Sequence, residues 1–70
     1  METEELDDVK IDGIYIHSNG DVFYKVLYVG KMKIPFNGNW DEAVVYQNID
    51  NKRVYVRELN SFVTNFTLAM

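Results

Sequence analysis

Seventy residues with a formal charge of −4 and no cysteine leave room for one domain and exclude a disulfide framework and any thiolate zinc site. A single histidine, His17, excludes a multi-histidine metal centre, so no cofactor is expected. Hydrophobic residues make up 47% of the chain, too rich for disorder throughout, yet no apolar run approaches the roughly 20 residues that cross a bilayer.

The charge is unevenly placed. Five acids (Glu2, Glu4, Glu5, Asp7 and Asp8) precede the first base, and removing them leaves six acids against seven Lys and Arg, a formal +1. Residues 1–9 therefore read as an acidic flexible tail and residues 10–70 as one small domain that is close to neutral. The acidic start has none of the basic-then-apolar pattern of a secretory signal, so a cytoplasmic protein without a membrane partner is expected. A domain this short buries only roughly 60% of its unfolded surface, and it needs a well-packed core, a partner copy, or both.

Gly13 opens the first strand signal, Ile14-Tyr15-Ile16-His17, which puts Ile14 and Ile16 on one face and Tyr15 and His17 on the other. Asn19-Gly20 suits the positive φ of a tight hairpin. Val22 to Val29 follows, apolar on both faces, as in a strongly bent barrel strand or one whose outer face is covered by a partner. Gly30 is expected to end that strand. Lys31 to Asp41, with Pro35, Asn37, Gly38 and Asn39, then reads as a long loop in which Phe36 or Trp40 plugs one end of the barrel or serves as a binding element.

Glu42 to Ile49 predicts a third strand and Asp50-Asn51-Lys52 a second hairpin turn. Arg53-Val54-Tyr55-Val56-Arg57 alternates again, with the two valines expected inward and Arg53, Tyr55 and Arg57 outward. Leu59, Phe62 and Val63 are spaced as on a helical turn, and Asn65 to Leu68 offers a last short strand. The expected fold is all-β with a minor helical turn: a small SH3-like barrel of four to five strands.

Four strings in this order carry a resemblance: Gly13-x-Tyr15-x-His17-x-x-Gly20, Tyr24-x-Val26, Glu42-x-Val44-Val45-Tyr46, and Val56-Arg57-x-Leu59-x-x-Phe62. Together they resemble DUF1653, a family of small bacterial and phage domains of unknown function, over nearly the whole folded part. The sequence departs from that pattern at Asn19, where the family has lysine, at Tyr55 in place of tryptophan, and at Glu58 in place of proline. The resemblance implies a bacterial or phage source (host cytoplasm if phage-encoded) and brings no activity. By analogy, a phage protein of this size would occupy or sequester a host component such as a defence signal nucleotide.

Tyr15 and His17 share one strand face, and Tyr55 and Arg57 another. If both curve round the same side of the barrel, with Glu42 and Tyr46 bordering them and Trp40 on the loop nearby, the set suits a small anionic, nucleotide-like ligand. The aromatic rings would stack a base, Arg57 would pair with phosphate or carboxylate, and His17 would donate a hydrogen bond. Against this stands the plain reading that these rings cover the core and that Arg57 forms an ordinary ion pair with Glu42 or Glu58. No nucleophile motif and no glycine-rich phosphate loop is present, so an enzyme is not expected. The expected function is a non-catalytic binding module for such a ligand or for a host protein surface. One alternative is a homodimer built on the two-sided strand Val22–Val29. The other is an SH3- or OB-like nucleic-acid-binding domain using Lys31, Lys33, Lys52, Arg53 and Arg57, against which the near-neutral body argues.

Overall fold

The β-branched and aromatic runs pair into one antiparallel five-stranded sheet in the computed structural model, which describes residues 9–69. The strands are β1 (Ile14–His17), β2 (Phe23–Lys33), β3 (Trp40–Asn48), β4 (Val54–Glu58) and β5 (Phe66–Leu68), and a seven-residue helix, α1 (Leu59–Asn65), joins the last two. The sheet order is β4-β3-β2-β1-β5. This is a small all-β fold of the SH3-like kind, with α1 carrying the chain from one edge of the sheet to the other. The acidic stretch of residues 2–8 lies outside the described residues. Val9, assigned to the tail by sequence, packs against the core.

The core lies on the concave face. Tyr15, Val26, Val44 and Tyr46 from the sheet meet Leu59 and Phe62 of α1 and Phe66 of β5, all buried. Rings dominate it: Phe62 stacks on Phe66 at 4.3 Å between centroids and meets Tyr15 and Tyr46 edge-on at 5.2 and 5.3 Å. Such aromatic pairs give a 70-residue chain more buried area per residue than an aliphatic core would.

Three expectations are corrected here. Lys31–Asp41 is not a long loop. β2 runs through Gly30 to Lys33 and pairs with β3 as far as Lys33 opposite Trp40, which leaves only Ile34–Asn39 as the connection. Gly30 has open space around it, and the pairs beyond it set Lys31 opposite Glu42, a charge match that keeps the ladder going. Phe36 and Trp40 plug nothing: they are 96% and 59% exposed. A register slip between Val26 and Tyr28 marks a bulge, the bend that the two-sided apolar strand implied.

The second correction concerns β4, whose faces are the reverse of those read from the alternation. Val54 and Val56 are 53% and 58% exposed, while Tyr55 and Arg57 turn toward the core face. The register decides this. Tyr46 and Val44 are core residues, and their cross-strand partners are Tyr55 and Arg57, which must share their face.

Third, neither Asn19 nor Gly20 takes a positive φ. Their turn is closed by Gly20 N–H donating to His17 O (3.1 Å) and Asn19 N–H donating to His17 Nδ1 (3.0 Å). Among the described residues, the left-handed ones are Asp12, Gly38 and Lys52. Lys52 holds φ 68° in the β3–β4 turn, where its N–H donates to Asn48 O at 2.9 Å. A non-glycine residue in that conformation costs roughly 1–2 kcal/mol. Lys52→Gly is therefore expected to raise stability by about 0.5–1 kcal/mol, net of the extra freedom of the unfolded chain. A urea midpoint that fell instead would show that the turn is held by contacts of the lysine side chain.

Candidate functional site

Antiparallel pairing and the curl of the sheet bring residues from all five strands to one open cleft of about 370 Å³. His17 ends β1, Asn19, Gly20 and Val22 form the connection that follows, Tyr24 is on β2 and Tyr46 on β3. Tyr55 and Arg57 come from β4 and Phe66 from β5. The curl is visible in one distance: Arg57 belongs to one edge strand and Phe66 to the other, yet the guanidinium carbon sits 5.4 Å from the Phe66 ring centroid.

Arg57 is held on three sides. Its Nε–H donates to the Tyr46 hydroxyl (3.2 Å), an Nη1–H donates to Ser61 Oγ on α1 (3.1 Å), and the plane lies over Phe66. Among the described residues, none of its bonds is to a carboxylate. The ordinary ion pair with Glu42 or Glu58 is thus replaced by neutral partners, which fix the side chain without cancelling its charge. A guanidinium carries five N–H donors, and two are used here.

The walls are rings. Tyr55 stacks on Tyr46 at 5.6 Å, and Tyr24 meets Tyr46, Tyr55 and Phe66 edge-on at 5.5, 6.3 and 5.5 Å. Tyr46 and Phe66 are buried, whereas Tyr55, also in the lining, is 39% exposed. His17 packs edge-on against Phe66 at 4.9 Å. Its Nδ1 accepts the Asn19 N–H, so a neutral ring carries its proton on Nε2, which has no hydrogen-bond partner among the described residues.

Of the seven residues singled out by sequence, His17, Tyr46, Tyr55 and Arg57 converge here. Tyr15 does not: it is buried in the core, and its hydroxyl accepts the Lys10 N–H at 3.0 Å. Trp40 and Glu42 lie elsewhere, lining a second cleft of about 330 Å³ with Lys31, Asp41, Glu58, Leu59 and Asn60. That separation follows from the register, which places them at the far end of the long β2–β3 hairpin, where Lys33 Nζ approaches the Trp40 ring at 5.8 Å. Comparison with known proteins finds no matching family model, no matching curated protein and no matching solved structure. The resemblance to DUF1653 therefore rests on the quoted strings alone. Several residues were missed. Tyr24 was legible, since it alternates with the core residue Val26, while Phe66 and Ser61 reach the site only through the helix that returns the chain to the opposite edge.

Chemically, the cleft offers one fixed cation, one imidazole N–H, and an aromatic wall. Among the described residues its lining contains no carboxylate. The arrangement is suited to holding a ligand that has both a flat face and a negative group.

Proposed function

We propose that this chain is a non-catalytic binding module whose cleft takes a small planar anionic, nucleotide-like ligand. The observation that carries the reading is Arg57, fixed by Tyr46, Ser61 and Phe66 without a carboxylate among the described residues, and standing two residues from the exposed ring of Tyr55. An arginine positioned in advance loses little entropy when it binds an anion. By analogy with small phage proteins, sequestration of a host nucleotide would be the corresponding cellular role if the chain is phage-encoded.

A thermal-shift screen against nucleotides tests this. A ligand present at 100 times its dissociation constant adds about 2.7 kcal/mol, or roughly 10–20 °C in a domain of this size. Arg57→Ala is expected to abolish the shift, since removing one partner of a charged hydrogen-bonded pair costs roughly 2–5 kcal/mol. Arg57→Lys keeps the charge and loses the fork, and it should weaken the shift without removing it. A panel in which no nucleotide moves the melting point sinks the reading.

A second reading, self-association, is favoured by the convex face. Val56, Val45 and Tyr28 form one cross-strand row there, Tyr28 is 69% exposed, and β4 is an edge strand free to pair with a second copy. Light scattering that gives a monomer at high protein concentration overturns it.

A further inference from the structure

Resting on the nucleotide reading above, we infer that the cleft is built for a single phosphoryl group attached to a single base, and that it gives di- and triphosphates no advantage. The donor inventory sets this limit. Arg57 has two of its five N–H groups committed to Tyr46 and Ser61, which leaves three, all on Nη1 and Nη2. Those form one fork, matched to two oxygens of one phosphoryl group; the other side-chain donors of the lining, the His17 imidazole, the Asn19 amide and the tyrosine hydroxyls, are neutral or titratable groups and add no second fixed cation.

The Asn19-Gly20 turn at the rim looks like a place where backbone N–H groups could cradle more phosphates. Both N–H groups are already spent, on His17 Nδ1 at 3.0 Å and on His17 O at 3.1 Å. Among the described residues, Arg57 is the only Lys or Arg whose side chain lines the cleft. The lysines of β2 lie away from it: Lys25 is directly opposite Ile14 and Gln47 on the convex face, and Lys31 lines the second cleft. A second or third phosphate would leave the fork and meet no cation.

Spacing and size point the same way. Tyr55 and Arg57 lie two residues apart on one face of β4, about 7 Å along the strand, a span that one nucleoside bridges. A volume of about 370 Å³ is at the small end of the roughly 300–1,000 Å³ range of ligand sites, room for one nucleotide unit. The base lies on the outer face of Tyr55, which Tyr46 backs at 5.6 Å.

Calorimetric titration of the full chain, in EDTA, with a nucleoside, its 5′-monophosphate, its triphosphate, and a short single-stranded oligonucleotide of the same base tests the inference, repeated for each common base. The monophosphate is expected to bind at least tenfold more tightly than the nucleoside, and the triphosphate within about threefold of the monophosphate. Arg57→Lys should bring the monophosphate down toward the nucleoside, while Tyr55→Ala should weaken both alike. An oligonucleotide that binds tenfold or more above the monophosphate would assign the site to a strand rather than a free nucleotide and overturn the single-unit limit. A triphosphate preferred tenfold, or a nucleoside as tight as its monophosphate, overturns the inference and leaves the nucleotide reading standing. Absence of binding in every arm overturns both.

Discussion

Phe62→Ala is expected to remove about a third or more of the chain's folding stability. Phe62 has no exposed surface and joins three rings, stacked on Phe66 and edge-on to Tyr15 and Tyr46. Truncating a buried phenylalanine costs about 3–5 kcal/mol, part of it lost transfer energy and part the cavity left behind. At 0.05–0.15 kcal/mol per residue, a domain of this length has a total stability of only about 3–10 kcal/mol. Collapse into the cavity offers little relief, because Tyr46 is tied to Arg57 and Tyr15 to the Lys10 backbone. Phe62→Leu retains most of the volume and should stay folded with a lower melting temperature. Far- and near-ultraviolet circular dichroism separates the two variants, and a Phe62→Ala protein within about 1 kcal/mol of the parent would mean the core is assembled on other residues.

The strand signals were legible because their causes are local. Alternation in Ile14–His17 and the β-branched run of β2 reflect which face each side chain takes, and Asp50-Asn51-Lys52 is turn chemistry, with Asn48 Oδ1 accepting from Asp50 N–H and Asn51 N–H at 2.7 and 3.1 Å. The reversed face of β4 was not legible. Val54 and Val56 are more apolar than Tyr55 and Arg57, and a hydrophobicity rule puts them inside. The pairing register, a non-local fact, overrides that preference, and the concave side accepts Tyr55 and Arg57 because long amphipathic side chains cover apolar surface while keeping a polar end wet. Half of the proposed site was visible in the same way: Tyr55 with Arg57, and His17 after Tyr15, are spacings within a strand. The contribution of Phe66 and Ser61, and the exclusion of Trp40 and Glu42, depend on the length of the β2–β3 hairpin and on the path of α1.

Gly13→Ala is expected to cost about 1–3 kcal/mol, and Gly30→Ala to be neutral or slightly stabilising. The difference is one of space, since neither glycine has a positive φ. A Cβ on Gly13 would lie 2.9 Å from Lys10 O and 3.1 Å from Tyr15 Cε1. Neither neighbour can retreat easily. Lys10 O accepts the Gly13 N–H at 3.0 Å, the backbone on both sides is tied to Val26 at 2.8 and 3.0 Å, and Tyr15 is held by the Lys10 N–H and by Phe62. Gly30 has nothing within 4 Å, so a methyl group there meets no obstacle and lowers the entropy of the unfolded chain. For a domain of this size the first change corresponds to a fall in melting temperature of roughly 5–20 °C, measurable beside an unshifted or slightly raised Gly30→Ala. Equal melting temperatures for the two variants would show that the close approach of Lys10 to Tyr15 does not exist in solution. The packing of Val9 against the core, which depends on the same turn, would then have to be abandoned with it.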